Sequence, residues 1–214
     1  MKQVIGYMEC DYMNIKYGMP YMILVFGIAS MMFSVKSSTG AVAYMFFGGL
    51  ILAGTTFGVT KETVSLTALL PGSCWQKVAG RYLGGVLGIV LCAGVGVVSA
   101  AATRLAGRAN GRFDFSMLLC LLGVTLFFLA LQNVLLYLLT PYLGPQVASF
   151  VRMVPGFILF FGVMEAGKLE IMTGVLGGEG LSPQVVLIVL GVGIASLLLS
   201  GILSCLIIRN RDNE

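Results

Sequence analysis

The feature that most constrains this chain is a series of long runs without a charged residue. The runs cover residues 17–35, 37–60, 82–103, 115–151 and 180–208. About 20 mainly apolar residues suffice to cross the hydrocarbon core of a membrane. Only 10% of the 214 residues are charged and 58% are hydrophobic, whereas about 25% of the residues of a soluble domain are charged. The chain is therefore predicted to be an integral membrane protein.

The charge-free runs predict an all-α, polytopic fold that forms a single transmembrane domain, residues 1–214. Each span is expected to be helical, because lipid offers the backbone no hydrogen-bond partners. The six predicted transmembrane helices are residues 19–35, 41–59, 83–102, 115–139, 146–164 and 184–208. Six spans place both termini on one side. If that side is cytoplasmic, the inner segments hold eight Lys and Arg residues and the outer ones five, which favours cytoplasmic termini.

Residues 1–18 precede the first span and have apolar side chains on one helical face. Ile5, Met8, Tyr12 and Ile15 are spaced three and four residues apart, as on one side of a helix. This spacing predicts an N-terminal interfacial helix on the inner membrane surface. The alternative is a plain extension of the first span.

Residues 60–82, between spans two and three, are predicted to form a structured cytoplasmic loop. Thr60 can cap a short helix over residues 61–69, and the Pro71-Gly72 pair ends it. Ser73 and Gln76 have the spacing of a capping box, which predicts the start of a new helix. Ordered helices in such a loop suit docking to a soluble partner, and a solvated connector fits the pattern equally well.

Small residues recur every four positions at the start of the third span. They are Gly80, Gly84, Gly88, Cys92 and Gly96. A ridge of small side chains lets helix backbones approach closely in lipid. Either another span of this chain or a second subunit is expected to pack there.

Polar groups are scarce in the predicted spans. Gln132 and Asn133 form the strongest polar pair at membrane depth; they either line a substrate path or join helices by hydrogen bonds. The spans hold no deep carboxylate, which counts against an ion-driven carrier. The chain has no histidine, which removes most zinc sites and most acid–base relays at neutral pH. No catalytic, cofactor or metal site is predicted, and the five scattered cysteines are interpreted as small hydrophobic residues.

The stretch GVMEAGKL, residues 162–169, has the glycines and lysine of a phosphate-binding loop. Leu169 stands where the magnesium-binding Ser or Thr of that motif belongs. The stretch also ends a predicted span and leads into an extracellular loop, residues 165–183. The match is therefore interpreted as coincidence, and this chain is not expected to hydrolyse ATP.

The run LPGSCWQKVAGRYL, residues 70–83, resembles the signature loop of small bacterial ATP-binding-cassette exporter permeases of the second export class. Leu70, Pro71, Ser73, Arg81, Tyr82 and Leu83 match the family pattern in register. Cys74 and Trp75 stand where the family usually has two basic residues. DYMNIK, residues 11–16, is similar to the family's N-terminal interfacial helix.

The resemblance implies a permease that is not itself an enzyme. A second permease chain, identical or a sister, would complete the pathway, and a separate cytosolic ATPase would bind ATP and magnesium. Residues 61–69 would be the coupling helix that the ATPase pushes. The implied ATPase-coupling residues are Lys61, Glu62, Leu66, Leu69, Leu70, Pro71, Ser73, Trp75 and Lys77. The family exports amphipathic or antimicrobial peptides, lipids or drugs, and a peptide is the first expectation here.

The expected location is the bacterial cytoplasmic membrane. The net charge of +4 suggests contact with membrane lipids rather than nucleic acid. The alternative function is a non-transporting immunity or regulatory protein, which would share the spans and need no ATPase. An ATPase gene beside this one would favour the exporter.

Overall fold

The computed structural model describes residues 2–15, 18–34, 38–56, 72–107, 115–139, 147, 150–151, 153–158, 161 and 182–211. Regular structure within these ranges is entirely helical, as predicted, and includes no strand. The helices are α1 (Lys2–Ile15), α2 (Gly18–Ser34), α3 (Ser38–Thr56), α4 (Cys74–Leu105), α5 (Phe115–Leu139) and α6 (Pro183–Arg211). Residues 153–158 are also helical.

Three of the helices, α4, α5 and α6, are each long and apolar enough to cross a membrane. They coincide with the predicted third, fourth and sixth spans, which confirms a membrane protein with several spans. The helices α2 and α3 occupy the places of the first two predicted spans and contain shorter apolar stretches, Ile23–Met32 and Tyr44–Ala53. Helix α1 occupies the place of the predicted N-terminal helix, and its location on a membrane surface stays a prediction.

Helix α4 is antiparallel to both α3 and α5 and packs mainly against α3. On the α3 side, a Cβ added to Gly49 would lie 2.9 Å from Ile89 Cα, and one added to Gly96 would lie 3.0 Å from Val42 Cα. On the α5 side, a Cβ at Gly85 would lie 3.0 Å from Leu129 Cδ1. The contacts with α3 bring the two backbones close together, which is how van der Waals packing holds helices in lipid, whereas the contact with α5 is made through the Leu129 side chain.

Helices α5 and α6 run parallel to each other. Early in both helices, Gly123 lies against Val189, Leu190 and Gly193. Late in both, Tyr137 and Cys205 pack against the same buried cluster, which includes Val78 from the start of α4. Both helices therefore run toward the end of the bundle where α4 begins.

Buried apolar side chains of α3, α4 and α5 form the centre of the bundle. The cluster comprises Val42, Phe46, Leu50, Ala53, Ile89, Leu118 and Leu129. A second cluster on the α2 side contains Met45, Leu52 and Cys92. The burial of Cys92 agrees with its interpretation as a small hydrophobic residue.

Several buried hydroxyl groups are satisfied within their own helices. Thr103 donates to the carbonyl of Ser99 at 2.8 Å, and Thr125 donates to the carbonyl of Leu121 at 2.6 Å. Ser30 donates to the carbonyl of Gly27 at 2.8 Å. Local bonds of this kind let hydroxyl side chains lie at membrane depth without an unpaired polar group.

Candidate functional site

Most of the described candidate residues lie in two places, and Gly84 and Gly88 lie farther along α4. One is the end of the bundle where α4 begins, formed by residues 72–82, Tyr7 of α1 and residues 201–209 of α6. This region is called the capped end below. The other is the second half of α5, which holds Gln132 and Asn133. The predicted coupling residues Lys61, Glu62, Leu66, Leu69, Leu70 and Pro71 lie outside the described residues, as do residues 162–169.

Ser73 and Gln76 form the capping box that the sequence predicts, and the structure confirms it. The Gln76 backbone N–H donates to Ser73 Oγ at 3.4 Å, and the Ser73 N–H donates to Gln76 Oε1 at 3.0 Å. A capping box satisfies backbone donors that would otherwise be free in the first turn. The cap thereby fixes the direction of the first turn of α4 immediately after Gly72.

Tyr7 of α1 is buried against the start of α4. A Cβ added to Gly72 would lie 2.7 Å from the Tyr7 hydroxyl, and one added to Gly80 would lie 2.9 Å from Tyr7 Cβ and 2.8 Å from the Val4 carbonyl oxygen. Only glycine allows α1 to approach this closely at both positions. Tyr7 is not on the predicted apolar face of α1, whose member Ile5 is exposed, so periodicity alone does not identify this contact.

Trp75 projects from the first turn of α4 and is 53% exposed. Its ring atoms lie 3.9 Å from where a Cβ of Gly201 would be, and Cys74 Sγ–H donates to the Cys205 carbonyl at 3.5 Å. Beside them is an open groove of about 420 Å³. Its lining residues are Ser73, Cys74, Trp75, Ile202, Cys205, Leu206 and Arg209. The groove is mainly apolar, with the exposed Arg209 cation at its rim.

The Arg-Tyr-Leu part of the motif has distinct structural roles at the capped end. The Tyr82 hydroxyl and Ser204 Oγ are 3.0 Å apart in a buried hydrogen bond that links α4 to α6. The Arg81 guanidinium lies 5.7 Å from the centre of the Tyr137 ring, within the range of a cation–π interaction. Leu83 is exposed. Lys77, between these residues and the cap, is half-buried.

The ridge of small residues on α4 contacts other helices of the same chain. Gly80 lies against α1, and Gly88, Cys92 and Gly96 lie against α3. Gly88 has the loosest of these contacts, since a Cβ there would lie 3.9 Å from Leu52 Cδ2. Gly84 is half-buried.

Gln132 and Asn133 are 3% and 2% exposed. Gln132 stands seven residues before the last residue of α5, which is about 10 Å along the axis. Among the described residues, no hydrogen-bond partner reaches Gln132 Nε2, Gln132 Oε1 or Asn133 Nδ2. An unpaired buried polar group costs about 1–3 kcal/mol, and within the described part of the chain these three atoms join no helices by hydrogen bonds.

The capped end can present a surface to a partner and hold α1, α4 and α6 together. The amides of Gln132 and Asn133 can offer hydrogen bonds between the helices. Within the described ranges, no group of three or more His, Cys, Asp or Glu side chains is placed to hold a metal ion.

Comparison with known proteins gives one match over most of the chain. Residues 9–209 match the model of a family described as ABC-2 family transporter protein. No curated protein and no solved structure matches the chain significantly.

Proposed function

The chain belongs to the ABC-2 transporter family, a family of membrane permease subunits that work with a partner ATPase, and we propose that it is the permease of a peptide exporter. Two permease chains form the pathway, and a separate ATPase binds ATP and magnesium. Amphipathic or antimicrobial peptides are the proposed substrates. The proposed location is the bacterial cytoplasmic membrane, with both termini in the cytoplasm.

The observation that carries this proposal is the capped, partly exposed start of α4. The cap at Ser73 orders the first turn, Tyr7 of α1 packs against Gly72 and Gly80, and two turns later the Tyr82–Ser204 bond ties α4 to α6. A push on the residues that precede Ser73 therefore reaches α1, α4 and α6 together. In the proposed mechanism, the ATPase presses on the predicted coupling helix, residues 61–69, and α4 transmits the movement into the membrane.

The length of α4 is compatible with first turns that lie outside the hydrocarbon. Its 32 residues extend about 48 Å, against a hydrocarbon core of about 30 Å. Trp75 and Lys77 lie in the first turn, and Arg209 lies near the end of α6 beside them. An exposed tryptophan flanked by cations is a suitable contact for an acidic, partly apolar surface of an ATPase, because tryptophan and arginine dominate interface energies.

The parallel course of α5 and α6 supports six spans. α5 ends beside the start of α4, whereas α6 begins at the opposite end of the bundle. A fifth span would return the chain between them along the length of the bundle. The helical residues 153–158 lie beside the middle of α3, where Phe157 contacts Phe47 with ring centres 6.3 Å apart. They fit the predicted fifth span.

Co-purification of the tagged chain from its native membrane tests the proposal. We expect a cytosolic ATPase to accompany the wild-type chain, with ATP hydrolysis that follows the complex. Trp75→Ala is expected to weaken ATPase retention about tenfold or more, as for a central interface tryptophan. Val90→Ala is the matched control, because Val90 is equally exposed at 55% but lies halfway along the same helix.

The possible results separate the proposals. Equal retention of the ATPase by the Trp75 variant would move the docking surface away from the first turn of α4. Absence of any ATPase would favour a non-transporting immunity or regulatory protein.

A further inference from the structure

The amides of Gln132 and Asn133 are buried polar groups whose bonding capacity the described chain leaves unused. Three of their four nitrogen and oxygen atoms have no hydrogen-bond partner among the described residues. Thr125, two turns earlier on the same helix, is equally buried and donates to the Leu121 carbonyl at 2.6 Å. The helix thus accommodates a buried polar side chain when that side chain can bond to its own backbone, as Thr125 does. The three amide atoms make no such bond.

A gap about the size of a methyl group lies directly beside one of these amides. Gly156, in the helical residues 153–158, faces Gln132. A Cβ added to Gly156 would lie 3.4 Å from Gln132 Nε2 and 3.9 Å from Leu50 Cβ. The methyl group of an alanine at position 156 would therefore occupy the volume next to the donor without a clash. With glycine in place, that volume is bounded by the amide on one side and an apolar side chain on the other.

The chemistry of the site selects an uncharged group. α5 contains no charged residue over its 25 positions, and an isolated charge is strongly disfavoured at this depth. A primary amide offers two N–H donors and one carbonyl acceptor. Its natural complement is a group that carries both an acceptor and a donor, such as a peptide group. Where no water competes, such paired bonds discriminate strongly against ligands that lack them.

We propose that Gln132 and Asn133, with the space beside Gly156, form a hydrogen-bonding site for backbone peptide groups of the molecule being exported. The proposal rests on the proposed function for the direction of transport and for the peptide nature of the substrate. It adds the residues that contact the substrate backbone. It also gives a function to two buried amides that the described part of the chain leaves largely unpaired.

The test uses the permease complex reconstituted in lipid nanodiscs without ATP. The probe is a fluorescent amphipathic peptide with acetylated and amidated ends, so that its backbone supplies the hydrogen bonds. Gln132→Leu and Asn133→Leu are expected to weaken saturable binding about tenfold or more. Both variants should unfold at the wild-type temperature or above, because leucine has a similar volume and leaves no polar atom unpaired.

Two further variants separate a binding role from a structural one. Gly156→Ala fills the space beside Nε2 and is expected to weaken binding without lowering the unfolding temperature. Thr125→Val removes a satisfied polar group from the same helix and is expected to leave binding unchanged.

Wild-type affinity in the leucine variants would overturn the proposal, as would absence of saturable binding to the wild-type complex. A clearly lower unfolding temperature in the leucine variants would also overturn it, since the amides would then have partners within the protein. Binding is measured without ATP hydrolysis. Failure of the ATPase to co-purify would therefore contradict the proposed function alone, and the binding measurement can be made on the permease by itself.

Discussion

At the scale of single residues, Tyr82 shows how one side chain joins distant parts of the chain. It is buried with Val78 and Ile208, and its hydroxyl bonds Ser204, whose side chain is completely buried. The aromatic ring fills the junction between α4 and α6, and the hydroxyl removes two unpaired polar groups from it. The tyrosine of the Arg-Tyr-Leu motif therefore has a structural reason for its identity.

Tyr82→Phe is expected to destabilise the protein by about 1 kcal/mol. Phenylalanine keeps the packing but leaves Ser204 Oγ without this hydrogen bond in a buried site. The measurement is equilibrium unfolding in mixed micelles, followed by circular dichroism. Tyr21→Phe is the control, because Tyr21 is 74% exposed, and it should unfold as the wild type does. Equal stability of the two variants would mean that the Tyr82–Ser204 bond contributes nothing.

Residue-scale features differ in how far the sequence predicts them. The cap at Ser73 depends on a partner three residues away, so its pattern is visible locally. The contact of Tyr7 with Gly72 and Gly80 joins residues more than sixty positions apart in the chain, and periodicity within α1 points to a different face. Apolar side chains can face either a neighbouring helix or lipid. Hydrophobic spacing therefore cannot predict which face of a helix its neighbour will cover.

At the scale of helices, close packing of glycines sets which helices touch. The ridge of small residues on α4, spaced four positions apart, is visible in the sequence. Its contacts are with α1 and α3. The tighter crossing of α5 and α6 at Gly123 and Gly193 is not predicted. A signal for it exists in α6, where small residues recur three or four apart. They are Gly193, Ser196, Ser200 and Ser204.

Gly193→Ala is expected to destabilise the protein by about 1–3 kcal/mol, as overpacking does. Its Cβ would overlap the Gly123 carbonyl oxygen and lie 2.9 Å from Gly123 Cα, so the two backbones must separate. Gly191→Ala is the matched control, because a Cβ there meets nothing within 4 Å. Unfolding of both variants in mixed micelles measures the difference. A Gly193 variant as stable as the control would contradict the crossing of α5 and α6 at this point.

At the scale of the whole molecule, the helix directions constrain how the chain crosses the membrane. Charge-free runs predict the long helices α4, α5 and α6, because length and apolarity are local properties. The sides on which they begin and end are encoded only weakly, by a small excess of cations. The structure adds that the start of α4, the end of α5 and the end of α6 meet at the capped end.

Reporter fusions test the resulting topology, in which the capped end faces the cytoplasm. A periplasmic phosphatase fused after Gly107, where the α4 helix has ended, is expected to be active. The same enzyme fused after Arg211 is expected to be inactive, because α6 ends beside the start of α4 at the capped end. A fluorescent protein that matures only in the cytoplasm should give the reverse pattern at both sites. Because the C-terminal ends of α4 and α6 lie at opposite ends of the bundle, the pair reports on orientation independently of expression level. Two active phosphatase fusions would mean that α4 and α6 do not end on opposite sides, and would contradict six spans. A phosphatase that is inactive after Gly107 and active after Arg211 would agree with the spans but place the capped end outside the cell. No cytosolic ATPase could then reach Trp75.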